Sequence, residues 1–486
     1  MLSLHREGED ASVSFCNRLL HSQSQSRHPV ASVTISLVGW FQARFISLPR
    51  LVNLLMIPAT LIASSTLSHA SEATGKTGAA RDAETSDVLV DRWHGFWLGQ
   101  SIANWTGLVT EMDKIGGDGP HGEFYRRSDW GGPDQPAIWD GDTPSAISPT
   151  IDFVLRRPGE LWGADDDTDI EYIYLWTLYE SGQTKLTPEA IRVAWLTHIY
   201  DEQAPTPYGA DGDHYENFLW VSNQRAHELM LAGHLPPATG QPEQNPHGEM
   251  IDAQLTTEIF GLLAPGSIEE ALELAYYPIR TAGSGDAVLV SEFYVAMHSL
   301  VAAMPRKQLS AGDVIAVANE AREVLPEGST PRAMFDFVLG QYLAGEPWES
   351  ARDAVYQRYQ VEQADGYDMS SRDLYCNGCF AAGINFAASL VSLFYGEGDF
   401  RETTKIAVLC GWDSDNPAAT WGGLLGFLMG AEAIEQVFGE PLSDGFHIHR
   451  TRRGFPNEGI DSFPAMARMG IEVTRRIQAS KGASSD

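Results

Sequence analysis

The chain has 486 residues, 43% of them hydrophobic, and a formal net charge of −32. That apolar share supports a large core, while a surface this acidic repels nucleic acid and anionic lipid and argues against both as partners. Cations, neutral sugars or a salty medium suit it better, and thirteen Trp and sixteen Tyr supply rings that fill cores or stack on sugars and bases.

Arg44 and Arg50 precede an apolar run from Leu51 to Ala63, and Ser68-His69-Ala70 places small residues where a signal peptidase reads. The run is short for a bilayer span and has the order of a secretory signal. Residues 1–70 therefore read as a signal peptide with an upstream segment, and the protein as secreted or periplasmic. An uncleaved membrane anchor is the competing reading. Residues 71–87 are small and polar and read as a linker, and a single, mainly helical domain is expected over residues 88–480.

Within that domain the spaced glycines Gly95, Gly99 and Gly107 point to a tightly packed helix, with Glu111 leaving its C-terminal end. Residues 112–160 are rich in Gly, Asp, Pro and Trp, and residues 201–248 are similar; irregular stretches this long in a compact domain usually line a functional cleft or are disordered. Between them runs Asp165-Asp166-Asp167-Thr168-Asp169-Ile170-Glu171. Thr168 and Glu171 have capping-box spacing, which predicts a helix from Asp169 to Glu180. Three adjacent carboxylates before a helix start repel one another unless a hard cation holds them; a solvated acidic turn is the plainer alternative.

Thr187-Pro188 predicts a helix start with Ile191, Ala194 and Trp195 on its buried face. Ser267 to Glu270 and Ser310 to Asp313 carry capping-box signals of their own. Cys376 and Cys379 have CxxC spacing without a second pair, which leaves a small disulfide or two buried thiols.

The segment Gly411-Trp412-Asp413-Ser414-Asp415-Asn416-Pro417 opens another helix, with Asp415 or Asn416 as its cap. Ala418, Ala419, Gly422, Gly423 and Gly426 keep that helix thin. Each internal Gly costs about 1 kcal/mol against Ala, so the close approach of another backbone is expected. A thin helix lets Asp413 and Asp415 lie deep in the protein, where they need a cation to offset their desolvation. Two acidic helix starts far apart in sequence suggest one shared metal site. His447 and His449 have strand spacing for a metal but no third ligand nearby, so they read as structural.

Together these segments resemble the ADP-ribosylglycohydrolase family over roughly residues 88–435. Its early Gly-rich helix with a following Glu is matched by Ala103-Asn104-Trp105-Thr106-Gly107 and Glu111. Its Thr-Asp-Asp-Thr motif is matched by Asp165-Asp166-Asp167-Thr168, and its late Gly-Gly-Asp-Thr-Asp-Thr by Gly411 to Asn416. The resemblance implies an all-α, orthogonal helical bundle with long loops around a central dimetal cleft. It implies two Mg²⁺ ions, with Ca²⁺ or Mn²⁺ as alternatives, held by Asp165, Asp166, Asp167, Asp413, Asp415 and Asn416. Glu111, Asp166 and Asp413 are the implied catalytic set, with Glu111 a ligand or general base. The implied reaction is hydrolysis of an ADP-ribosyl or related ribosyl bond by metal-activated water.

The chain departs from the family pattern at several places. Asp165 replaces Thr, Asn104 replaces Asp, Trp412 replaces Gly, and Asn416-Pro417 replaces Thr and its neighbour. The family's middle motif survives only as His247-Gly248-Glu249-Met250-Ile251-Asp252, without its Arg. The extra carboxylate at Asp165 makes the site more negative, and the missing Arg, the aromatic loops and the export signal keep open hydrolysis of a glycan without ADP-ribose; metal-dependent sugar binding without catalysis is a further reading.

Overall fold

The computed structural model describes residues 86–139, 141–201 and 217–482. The expected signal segment and all but the last two residues of the expected linker lie outside them. Among the described residues there are fifteen α-helices, two short strands and a few single-turn elements. The helices are α1 (Ser86–Gly107), α2 (Asp166–Ser181), α3 (Pro188–His198), α4 (Val221–Leu231), α5 (Ile259–Leu263), α6 (Ile268–Ala282) and α7 (Gly285–Ala302). They continue as α8 (Ala311–Ala321), α9 (Thr330–Leu343), α10 (Trp348–Val355), α11 (Ala382–Gly396) and α12 (Phe400–Cys410). The last are α13 (Asp415–Met429), α14 (Ala431–Phe438) and α15 (Phe463–Gly482). Strand β1 (Gly445–His447) pairs antiparallel with β2 (Ile460–Ser462), Phe446 opposite Asp461. No helix of the described residues is long and apolar enough to cross a membrane.

Helices α1 and α13 form the centre, and their glycines explain how. A Cβ on Gly95 would lie 2.2 Å from the Gly426 carbonyl oxygen, and one on Gly99 2.3 Å from that of Gly422. Only glycine on both faces lets the two backbones touch. Around this seam Phe96, Trp97 and Trp421 are fully buried, and α15 closes one side, where Gly470 makes room for the Trp93 ring.

Several helix starts follow the sequence signals. Thr187 accepts a hydrogen bond from Ala190 N, and Ser310 and Asp313 close a full capping box. Others differ. The α2 start is Asp166, with Asp165 as N-cap accepting from Asp167 N, so Thr168 lies inside the helix. An Asp side chain caps as well as Thr, and the first candidate in chain order wins here. Ser267 stands at the cap of α6 but makes no side-chain cap bond. Helix α13 begins at Asp415 with Ser414 at the cap position, two residues earlier than an Asn416 cap with Pro417 suggests and one earlier than an Asp415 cap.

Part of the expected loop 201–248 is helical: α4 occupies Val221–Leu231, while residues 202–216 lie outside the described set. Residues 112–160 are irregular apart from one single-turn helix, Arg127–Asp129. Cys376 and Cys379 form a disulfide, and Cys410 is a buried free thiol.

Candidate functional site

The seam between α1 and α13 delivers two of the acidic segments to one place. A Cβ on Gly107 would sit 2.2 Å from the Asp415 Cα, so the end of α1 presses against the first residue of α13. The turn after α1 is fastened there. Met112 N donates to Trp412 O (2.8 Å), Trp412 N to Lys114 O (2.7 Å) and Ser414 Oγ to Gly107 O (3.1 Å). Asp413 N donates to Asn385 Oδ1 of α11 (3.1 Å). Trp412, with positive φ, is fully buried and donates its indole N–H to Gln360 Oε1 (2.8 Å).

The third segment arrives through α2, which is anchored by a buried ion pair between Asp169 and Arg452 (2.8 Å) and by Trp162, whose indole donates to Ser443 O (2.8 Å). Glu111, Asp165, Asp166, Asp167, Asp413 and Asp415 all line a single cleft. Carboxylate oxygens of Glu111, Asp413 and Asp415 lie within 4.8 Å of one another, and so do those of Asp165, Asp167 and Asp415. Asp415 belongs to both groups. Clusters 250 residues apart in sequence thus converge beside an open pocket.

Burial is the first cause that raises the carboxyl groups of Asp166, Asp167, Asp413 and Asp415 well above their ordinary range; neighbouring carboxylates add to it. Asp165 and Asp167 are prominent among those neighbours for Asp166, and Glu111 for Asp413. Oδ2 of Asp166 and Oδ1 of Asp415 are buried and meet no hydrogen-bond donor of the protein. A buried oxygen without a donor is costly. Hard divalent cations answer both problems, and an all-carboxylate donor set fits them.

Asn416 stands one layer behind. Its Nδ2 donates to Asp167 Oδ1 (3.2 Å) and its Oδ1 accepts from Gln254 Nε2 (2.8 Å). It does not line the cleft. Asn104 donates to the other Asp167 oxygen (2.8 Å), so two amides orient that carboxylate. The replacement of Asp by Asn at 104 supplies a donor where a further carboxylate would have repelled Asp167.

Some site residues carried no sequence assignment. Asp252, in the shortened middle motif, lines the cleft and accepts from Ser222 N (3.1 Å) and Asn223 N (2.9 Å) at the start of α4. Asp113 also lines the cleft; burial, and then Asp134, raise its carboxyl to about 9, and it accepts from Tyr125 OH (2.6 Å). Its position two residues after Glu111 was the one available hint. Of the tryptophans in or near the loops, Trp105 and Trp139 reach the cleft. Trp130 packs on Phe153 instead, and Trp412 is core. Trp220, Phe218 and Phe380 complete an aromatic wall. His449 lines the cleft and bonds Thr451 Oγ1 (2.7 Å), whereas His447 Nε2 faces Glu458 O (3.2 Å). The two rings share no carboxylate group among the described residues.

Fold and site together define an all-α protein with an acidic centre open to a cleft. A family model described as ADP-ribosylglycohydrolase matches residues 85–464. The chain belongs to the ADP-ribosylglycohydrolase family, whose members are hydrolases that cleave glycosidic bonds, and it has that family's all-α fold. Among solved structures it is similar to an "ADP-ribosylglycohydrolase-related protein complex", at 16% identity and a TM-score of 0.45 over 80% of this chain and 99% of that one. No curated protein matches it.

Proposed function

We propose that the protein is a magnesium-dependent hydrolase of a ribosyl-type glycosidic bond. The observation that carries this reading is the pair of carboxylate groups joined through Asp415 and opening on the cleft. In this reading Glu111, Asp165, Asp166, Asp167, Asp413 and Asp415 hold two divalent cations, and Asn416 orients Asp167. When bound, the cations supply Lewis acidity toward water and the sugar hydroxyls. Glu111, half-buried at the cleft, accepts the proton of the attacking water. Asp166 and Asp413 keep the cleft negative where the sugar develops positive character at its anomeric carbon. Asp113, held protonated by burial, has a proton to offer near the same wall.

The test is a glycoside panel assayed with Mg²⁺ and with excess chelator. Turnover that disappears with chelator, returns with Mg²⁺ and is lost in Asp413→Ala supports the reading. Turnover indifferent to chelator sinks it. Ca²⁺ and Mn²⁺ in parallel assays rank the metals.

Export belongs to the same proposal. The Leu51 to Ala63 run and the Cys376–Cys379 disulfide, which suits an oxidising compartment, support it. Mass measurement of the protein recovered outside the cytoplasm should show a chain starting after Ala70; an intact N-terminus there contradicts this.

A further inference from the structure

The cleft has an unusual charge inventory for a site that would grip phosphate. Eight carboxylates line it, and among the described residues Arg450 is the one Lys or Arg that does. The Arg450 guanidinium lies 4.6 Å over the Phe218 ring, and its Nη1 is 3.4 Å from His449 Nε2. Burial holds His449 neutral, so it adds no positive charge. The described residues 133–139, 141–152 and 217–221, which supply Trp139, Ala146 and Trp220 to the wall, contain no Lys or Arg. Asp113 is held protonated by burial, and two divalent cations would neutralise only part of the charge of the other seven carboxylates. A diphosphate is recognised by forked or clustered cations, and a negative low-dielectric cleft repels it.

What the wall offers instead is flat apolar surface. Trp139 and Phe380 are parallel, 6° between planes and 6.0 Å between centres. Trp220 completes the triangle at 5.9 Å from Trp139 and 5.6 Å from Phe380. All three rings are only partly buried, and Phe380 directly follows the Cys376–Cys379 disulfide, which restrains its backbone. Rigid, half-exposed rings beside a polar centre stack a planar group while the sugar meets the carboxylates.

Resting on the hydrolase reading, we propose that the cleft takes ribosides whose leaving group is planar and free of phosphate, and discriminates against ADP-ribosyl conjugates. In the reaction the bond between the anomeric carbon and the leaving group breaks, with the electron pair departing on the leaving group. Water oxygen bonds to that carbon. One water proton stays on the new anomeric hydroxyl, the other passes to Glu111 and on to solvent, and the departing anion takes up a proton from solvent.

The test uses the full mature protein with Mg²⁺ and three probes: 4-nitrophenyl β-D-ribofuranoside, its 5′-phosphate, and ADP-ribose. Binding is read by calorimetry and tryptophan fluorescence, separately from nitrophenol release. The neutral riboside should bind at least about tenfold more tightly than either phosphorylated probe. Trp220→Ala should weaken riboside binding by about tenfold, and Trp220→Phe should recover most of it, since a second ring restores the stack. Ala146→Lys, at an exposed position on the rim, should raise the ratio of ADP-ribose to riboside affinity at low salt. ADP-ribose binding as tightly as the riboside overturns the inference, and so does failure of every probe to bind. Ranked binding without any cleavage leaves this inference standing and removes the hydrolase reading instead.

Discussion

Gly107 and Asp415 are in backbone contact: a single methyl group on Gly107 would lie 2.2 Å from the Asp415 Cα. The same Asp415 joins both carboxylate groups of the cleft. Packing of the central helix pair and geometry of the proposed metal centre are therefore one constraint. Gly107→Ala must push α1 and α13 apart at their acidic ends, and overpacking of this kind costs about 1–3 kcal/mol. We expect a lower melting temperature and Mg²⁺ affinity reduced at least tenfold by calorimetry. Wild-type Mg²⁺ affinity in this variant would show that the helix contact does not position Asp415.

Metal removal should act on stability with a definite pH dependence. Asp166, Asp167, Asp413 and Asp415 have carboxyl groups raised well above the usual range, chiefly by burial. In the metal-free protein a raised acid contributes stability that is complete below its unfolded value and is lost as pH rises through the folded one. Cation binding replaces those protons, and at 100 times its dissociation constant a ligand stabilises by about 2.7 kcal/mol. The melting-temperature gain on adding Mg²⁺ should thus be small near pH 4 and grow toward pH 8. A gain that is constant with pH would contradict proton competition at these carboxylates.

A second pair of acids lies in the core away from the cleft lining. Glu171 Oε1 accepts from Ile259 N (2.7 Å), its Oε2 accepts from Gln100 Nε2 (2.9 Å), and Glu258 Oε1 accepts from Thr420 Oγ1 (2.7 Å). Burial raises both carboxyls, that of Glu258 from 4.5 to about 7. Glu258 is most stable protonated, so its contribution is full below pH 4.5 and fades as pH rises through about 7, while burial and Glu258 raise the Glu171 carboxyl further still. Glu258→Gln imitates the protonated partner at every pH. Thermal melts should show this variant gaining on wild type between pH 5 and pH 8; parallel curves would refute a raised Glu258 carboxyl.

The sequence already contained the parts of this architecture that depend on local rules. Gly95, Gly99, Gly422 and Gly426 are written at helical spacing, and a glycine stripe has one cheap explanation, which the backbone contacts supply. The two acidic helix starts were legible because adjacent carboxylates are costly without a cation. What escaped depended on tertiary context. Helix α4 buries Ser222, Asn223, Gln224 and His227 beside Ala226, Leu229 and Met230, so polar residues on its buried side blur the apolar periodicity. Asp252 sits on a single 3₁₀ turn, Ile251–Ala253, and becomes a cleft residue only because α4 donates two backbone N–H groups to it. Asn416 entered as a ligand by its place in the late motif, and what the sequence did not show is that its amide also meets Gln254 and Asp167.

The Asp169–Arg452 pair should prove a structural anchor of the cleft. Both side chains are fully buried at 2.8 Å, Arg452 Nη1 also donates to Asn217 O (2.6 Å), and Asp169 begins two residues after Asp167. Burial raises the Asp169 carboxyl to about 7 even with the guanidinium opposing it. Arg452→Met removes the counter-charge and leaves a buried acid, a change that typically costs about 3–5 kcal/mol. Adding Asp169→Asn removes the stranded charge, so the double variant should regain a good part of that loss in denaturant unfolding. Mg²⁺ affinity should fall in Arg452→Met and recover in the double variant, because the first turn of α2 carries Asp166 and Asp167. Additive stability losses in the two single variants would mean that the pair is not coupled and that α2 is held by its apolar face alone.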